Sequence, residues 1–283
     1  MPELPEVETM RRGVAACVGR RIAAVAKPRC RLKPIRLAPS LAQMRRRVVG
    51  QRIGAVDRAG KRVLVRLEND DTLVFEPRMT GLVLLADPPN RQHLRLQLVF
   101  DDHRLPPQLM YWDRRGLGSV RLMDPRAMAL AFGAGQLGTD ALKITARQLQ
   151  SRLAVSRREI KVALLDQRAV AGIGNLYAAE ILHVAGLHPR RHCDRLTASQ
   201  WQRLHRAMRK VLQEAIRYEG STLSDGTYRN ALNRPGRYQN RHRVYQRAGQ
   251  MCLACGSRKV ERIVQAQRAT FFCPACQPLK GKA

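Results

Sequence analysis

Cys252-Leu253-Ala254-Cys255 and, seventeen residues further on, Cys273-Pro274-Ala275-Cys276 decide how the last part of this chain folds. Two C-x2-C knuckles on either side of a hairpin-length segment supply four thiolates, the donor set of a tetrahedral zinc centre. Four thiolates leave no open position, so one structural Zn2+ is expected on Cys252, Cys255, Cys273 and Cys276. Disulfides fit poorly. Of the seven cysteines, Cys17, Cys30 and Cys193 are scattered without a framework, and an odd total suits a reducing compartment. The hairpin between the knuckles carries Lys259, Arg262 and Arg268, so its tip can reach phosphates.

Moving back from the knuckles, residues 221–241 form a polar stretch rich in Gly, Asn and Arg. Before it, Thr197-Ala-Ser-Gln200 reads as a capping box for a long helix through Arg217. Its apolar face, Trp201, Leu204, Met208, Val211, Leu212 and Ile216, reads as core. Further upstream, Ala171-Gly-Ile-Gly-Asn175 precedes a helix over 176–185. A glycine turn at a helix N-terminus offers N–H groups and a positive dipole to a phosphate. Lys161 lies one helix earlier, in the helix expected over 160–167, and another helix is expected over 144–153.

The glycine-rich run Phe132-Gly-Ala-Gly-Gln-Leu-Gly-Thr-Asp140 marks a change of period. Before it the pattern is short strands: 21–27, 53–59, 62–68, 72–76, 81–85, 94–100, 109–111 and 119–123. Turn residues between them point to an antiparallel sandwich or barrel. Lys61 falls at a hairpin tip or strand start. Helices are expected over 41–49 and, with Pro5 in its first turn, over 5–17.

Composition narrows the partner. Lys+Arg number 52 against Asp+Glu 22, a formal net charge of +30 over 283 residues. Arginine enrichment from GC-rich coding explains Arg replacing Lys but not the shortage of acids. The excess suits a polyanion whose phosphates release counterions on binding. No amphipathic basic helix supports a membrane surface, and no stretch reaches the roughly 18 apolar residues of a span. The N-terminus shows no signal-peptide core.

That N-terminus, Met1-Pro2-Glu3-Leu4-Pro5-Glu6-Val7-Glu8-Thr9, carries the chemistry. Methionine before proline is normally trimmed, which leaves Pro2 a free secondary amine. An α-amino group titrates near pKa 7.7–8.0, so much of it is a neutral nucleophile at physiological pH. Attack on a sugar aldehyde carbon gives an iminium, an electron sink, and Glu3 beside it can carry the proton.

Three segments together carry a resemblance: Pro2-Glu-Leu-Pro-Glu-Val-Glu8, the run Ile160-Lys-Val-Ala-Leu-Leu-Asp-Gln-Arg-Ala-Val-Ala-Gly-Ile-Gly-Asn-Leu-Tyr-Ala-Ala-Glu180, and the knuckles with Arg268-Ala-Thr-Phe-Phe-Cys-Pro274. In this order, over essentially the whole chain, they resemble the formamidopyrimidine-DNA glycosylase/endonuclease VIII family. The resemblance implies an α+β multidomain fold. It comprises an N-terminal antiparallel β-sandwich with an N-terminal helix (1–135), a linker (136–143), a helix–two-turn–helix domain (144–240) with a lesion-recognition loop (221–236), and a β-hairpin zinc finger (243–278). It implies a monomeric enzyme of base-excision repair acting on damaged double-stranded DNA in the bacterial cytosol, with glycosylase and AP lyase activities. The implied catalytic residues are Pro2, Glu3, Glu6, Lys61 and Arg268. The implied DNA-binding residues are Met79, His93, Arg115, Leu117, Lys161, Asn175, Ser221 and Thr222.

Gly220-Ser-Thr-Leu-Ser-Asp225 and the loop after it resemble the formamidopyrimidine branch, which favours 8-oxoguanine and ring-opened purines. An oxidised-pyrimidine glycosylase of the same family and a non-catalytic damage-binding relative are the alternatives; intact Pro2, Glu3 and Lys61 weigh against the latter. Two motifs depart from the family pattern. Glu76-Pro-Arg-Met79-Thr-Gly81 stands for His-Leu-Gly-Met-Ser-Gly, and Asp113-Arg-Arg-Gly-Leu-Gly118 for Asp-Pro-Arg-Arg-Phe-Gly. Met79 is expected to fill the place of a flipped base, and Arg115 to read the widowed cytosine. Leu117 replaces a phenylalanine wedge and stacks less well. Gly116 is expected to loosen the loop that holds Arg115.

Overall fold

The structure is a computed structural model and describes residues 2–102, 105–223 and 226–279. The chain forms two compact units, Met1–Gly133 with Tyr218–Gln239, and Ala134–Arg217 with Asn240–Ala283. Residues 218–239 therefore pack with the first unit, although they follow the long helix of the second.

The first unit opens with helix α1 (Leu4–Val14). Two sheets follow, built from β1 (Ile22–Ala26), β2 (Arg36–Ala38), β3 (Ile53–Ala59), β4 (Arg62–Leu67), β5 (Thr72–Glu76), β6 (Gly81–Leu84), β7 (Leu94–Phe100), β8 (Gln108–Asp113) and β9 (Ser119–Met123). One sheet has the order β2-β9-β5-β4-β3 and the other β1-β7-β8-β6. Every pairing within them is antiparallel except β2 with β9. Helix α2 (Leu41–Val48) is closed at its N-terminus by the Ser40 capping box.

Period-two alternation builds the sandwich. In β4, Val63, Val65 and Leu67 face the main core, where Val7, Met10 and Val14 of α1 also lie. Leu64 points to the other face, with Val74 and Met123. That outer face is covered by helix α3 (Pro125–Phe132), capped by Asp124 Oδ1 accepting from Ala127 N at 2.7 Å.

The second unit begins with β10 (Thr139–Asp140), α4 (Ala146–Leu153) and α5 (Ile160–Leu164). It continues through β11 (Val170–Ala171), α6 (Asn175–Ala185) and α7 (Ala198–Arg217), and ends in the hairpin β12 (Glu261–Gln265) and β13 (Arg268–Phe272). The predicted capping box of α7 is present: Gln200 N donates to Thr197 Oγ1 at 3.3 Å, and Thr197 N to Gln200 Oε1 at 2.9 Å. Helix α6 is buried along nearly its whole length and ends at Gly186, φ 64°. This is the α+β architecture expected from the sequence. The elements that expectation lacked are β2, α3 and the two-residue strands β10 and β11, and α1 and α5 end earlier than predicted. Among the described residues no helix is long and apolar enough to cross a membrane.

Candidate functional site

The first unit assembles its candidate residues around the head of α1. Pro2 is buried, and Glu3 and Glu6 are 5% and 3% exposed. Glu3 N donates to Glu6 Oε2 at 2.9 Å, which satisfies one of the orphan donors of a helix start. The other oxygen, Glu6 Oε1, accepts from Ser221 N at 2.8 Å. One carboxylate thus joins the Pro2–Glu3 segment to the loop that follows α7. Gly220 is required at this junction. Its φ is 77°, and a Cβ would lie 2.8 Å from Glu6 Oε1. Tyr228 Oη donates to Glu219 O at 2.9 Å and stands 3.4 Å from Glu6 O.

Ser221 is buried, and Thr222 is tied inside the loop: its Oγ1 donates to Tyr228 O at 2.7 Å and accepts from Gly236 N at 2.9 Å. Thr222 N is engaged as well, donating to Gln239 Oε1 at 3.0 Å. Ser224 and Asp225, which complete the quoted loop motif, lie outside the described residues.

Lys61 sits in the two-residue turn between β3 and β4, where Ala59 pairs with Arg62. A residue missed by sequence reading fixes this turn. Glu8 on α1 accepts from Arg58 Nε at 3.1 Å, and Arg58 Nη1 donates to Gly60 O at 2.9 Å. Arg11 and Arg12 also donate to Glu8. Burial alone raises the Glu8 pKa, but the hydrogen bonds from Arg11, Arg12 and Arg58 outweigh it and hold the carboxyl at about 2. The signal was the clustering of Glu8 with Arg11 and Arg12 at helical spacing; the third partner, Arg58, is fifty residues away.

Two loops at the ends of β5 and β8 carry Met79, Arg115 and Leu117. Asp113 clasps them together. Its Oδ1 accepts from Thr80 Oγ1 at 2.5 Å and Arg115 N at 3.2 Å, and its Oδ2 from Gly118 N at 2.8 Å. Arg115 N also donates to Thr80 Oγ1 at 3.0 Å. Met79 is 40% exposed, unusual for so large an apolar side chain, and the Arg115 side chain is exposed. Leu117 is half-buried.

The expectation that Gly116 loosens this loop is corrected. Gly116 is buried, has φ 61°, and a Cβ there would lie 2.1 Å from Lys33 O. The glycine lets the loop close against residue 33 and so contributes to pinning it. Glu76, the other departure, serves the sheet: Arg62 Nη2 donates to its Oε1 at 3.1 Å and Ser119 Oγ to its Oε2 at 3.3 Å. His93 lies edge-on to Trp112, with Nδ1 2.7 Å from Asn90 Oδ1. Burial, then Arg95 and Arg114, lower its pKa, which favours the neutral ring.

The second unit brings Asn175 and Arg268 to one place. Asn175 opens α6 and its Nδ2 donates to Ala269 O at 2.9 Å, next to Arg268 at the exposed hairpin tip. The turn before it is braced by Gln167, which accepts from Gly172 N at 2.9 Å and donates to Ile173 O at 2.8 Å. Gln265, paired with Arg268 across the hairpin, donates to Glu159 Oε2 and to Pro189 O. Lys161 N donates to that same carbonyl, so α5 and the turn end of the hairpin share one acceptor. Lys161 itself is fully buried, not a solvated surface lysine.

Cys252, Cys255, Cys273 and Cys276 converge, with their sulfurs all within 4.8 Å of one another. Cys252 Sγ lies 3.8 Å from Cys276 Sγ, and Cys255 Sγ 3.7 Å from Cys273 Sγ. Four thiolates at about 2.3 Å from a tetrahedral zinc are spaced by about 3.8 Å. The donor set and its spacing therefore fit one zinc ion held entirely by protein.

A sandwich headed by a proline-bearing helix, a helical module with a glycine turn, and a four-cysteine finger together define a class of DNA-repair glycosylase. Comparison with known proteins makes this specific. Residues 1–120 match the formamidopyrimidine-DNA glycosylase N-terminal domain, 137–227 its H2TH domain, and 249–279 the zinc finger found in FPG and IleRS. The formamidopyrimidine-DNA glycosylase of Chloroflexus aurantiacus is 41% identical over 280 residues, covering 98% of both chains. That of Thermus thermophilus is 40% identical over 292 residues, also covering 98% of both. The crystal structure of the Thermus thermophilus MutM (FPG) protein superposes with a TM-score of 0.84 at 38% identity, over 99% of this chain and 100% of that one. A Lactococcus lactis FPG mutant in complex with DNA containing Fapy-dG superposes with a TM-score of 0.85 at 32% identity, over 98% and 100%. The chain belongs to the formamidopyrimidine-DNA glycosylase family.

Proposed function

We propose that this protein is a bifunctional DNA glycosylase and AP lyase that excises oxidised purines, 8-oxoguanine and formamidopyrimidines, from duplex DNA. The observation that carries this reading is the Glu3–Glu6–Ser221 hydrogen-bond chain, which ties the Pro2–Glu3 segment to the loop assigned to the damaged base. Once Met1 is removed, the Pro2 nitrogen attacks C1′ of the extruded nucleotide. The C1′–N9 bond breaks and the base leaves with its electron pair and a proton. Glu3 protonates O4′ as the sugar opens, leaving an iminium at C1′. The iminium acidifies the C2′ proton. Its loss expels the 3′ phosphate, a second proton loss expels the 5′ phosphate, and water returns the amine.

Each remaining residue has a place in this scheme. Glu6 holds the segment bearing the amine. Lys61 and Arg268 stabilise the leaving phosphates; Lys161 attracts the backbone by its charge, and the neutral Asn175 and His93 contact it by hydrogen bonds. Met79 fills the space the base vacates, Leu117 wedges the stack, and Arg115 pairs with the orphaned cytosine. Ser221 and Thr222 line the flipped purine. Zinc supplies no chemistry; held by the four cysteines, it orders the hairpin that presents Arg268. A monomer acting on the chromosome in the bacterial cytosol fits this partner.

The test uses matched duplexes bearing 8-oxoguanine opposite cytosine or thymine glycol opposite adenine. The reading predicts faster release of 8-oxoguanine and a one-nucleotide gap with phosphate at both ends. Preferential release of thymine glycol would overturn the purine assignment, and base loss without strand scission would overturn the lyase.

A further inference from the structure

His183 lies on α6, two turns beyond Asn175, and is 6% exposed. Its Nε2 is 3.5 Å from Cys252 Sγ, while its Nδ1 is buried with no hydrogen-bond partner among the described residues. Cys252 belongs to an apolar cluster with Ala179, Val244, Val260 and Phe271. A polar ring is costly there unless its one contact matters.

When the cysteines hold zinc, Cys252 is a thiolate and has no proton to donate. Nε2 must then be the donor, which fixes the tautomer as Nε2–H. Four thiolates on one divalent ion leave two excess negative charges. A hydrogen bond to a ligand sulfur disperses that charge and fixes the ligand's direction, as outer-shell partners of metal sites do. Ser257 Oγ makes the corresponding contact to Cys255 Sγ at 3.2 Å, but from within the finger itself. His183 is the donor that comes from outside it.

The same helix holds the finger elsewhere. Asn175 donates to the β13 carbonyl of Ala269. Glu180 accepts from the backbone N–H groups of Arg243, Val244 and Tyr245 on the approach to the first knuckle. We propose that His183 is a positioning residue of the zinc centre: its Nε2–H donates to the Cys252 thiolate, so that α6 stabilises the bound zinc as well as the finger's backbone. No role in the glycosylase chemistry is required of it.

The experiment uses the full-length zinc protein and His183→Phe, which keeps an aromatic ring and removes the donor. Zinc release to excess EDTA is followed with a chromogenic chelator, beside circular dichroism to confirm the fold. The proposal predicts release about tenfold faster from the variant, the lower end of the effect of removing such partners. In the cobalt-substituted proteins, the sulfur-to-cobalt charge-transfer band should move to longer wavelength in the variant, a change that packing alone does not produce. Equal release rates with an unmoved band would overturn the proposal. Should His183→Phe not fold, imidazole 15N spectra of the zinc-bound wild type decide. Nε2 protonated supports the hydrogen bond, and Nδ1 protonated overturns it. Wild type holding less than one zinc per chain would instead refute the metal centre itself.

Discussion

Glu8 shows how a single carboxylate organises the first unit. It accepts hydrogen bonds from three arginines, and one of them, Arg58, passes the constraint to the turn that carries Lys61. Removing the charge takes from Arg58, whose side chain is 8% exposed, the ion pair it makes with Glu8. Hydrogen bonds to charged groups contribute about 1.5–3 kcal/mol, so Glu8→Gln should destabilise the protein by about that amount at pH 7. The pH dependence follows from the direction of the shift. The folded pKa is depressed, from 4.5 to about 2, so the stabilisation is fully present above 4.5 and is lost as pH falls toward 2. Thermal melts of wild type and Glu8→Gln should therefore differ at pH 7 and converge as the pH is lowered. A constant difference across that range would show that Glu8 acts by packing. Little of this was legible beforehand: Glu8, Arg11 and Arg12 are neighbours on one helix, but the partnership with Arg58 is tertiary and no local pattern encodes it.

At the scale of elements, legibility followed burial. Strands Ile53–Ala59, Thr72–Glu76, Leu94–Phe100 and Ser119–Met123 have the bounds their alternation predicts, because each buries at least one face. Strand β2 escaped notice. It is three residues long, exposed or half-buried throughout, and its place is set by pairing with β9. Helix α3 escaped for a related reason. None of its residues is fully buried, so its apolar stripe shows only against the outer face of the sheet, although the Asp124-Pro125 start signal was present. The four cysteines were fully legible, since ligand spacing is local. Their removal gives an element-scale prediction. Cys273→Ser should release the zinc and weaken duplex binding by loosening the hairpin that presents Arg268, while the β-sandwich keeps its far-ultraviolet signature. Full zinc content and unchanged binding in that variant would contradict a structural metal.

Over the whole molecule, charge and chemistry divide the work. An excess of 30 positive charges supplies sequence-independent attraction to a phosphate backbone. The proposed reacting groups are few and lie at the head of α1, where Pro2, Glu3 and Glu6 are all buried. Pro2 and Glu3 could be proposed from the sequence because a proline nitrogen is a nucleophile only at the chain terminus. The backbone link from Glu6 to Ser221 spans 215 positions and appears only in the folded chain. The central claim is that the Pro2 nitrogen forms the covalent link to DNA. It is tested most directly by borohydride reduction during reaction with an 8-oxoguanine:cytosine duplex, followed by mass-spectrometric mapping. The account predicts one adduct, on the Pro2 nitrogen, that disappears when Met1 is retained while duplex binding persists. An adduct on a lysine, or undiminished trapping with Met1 in place, would contradict it.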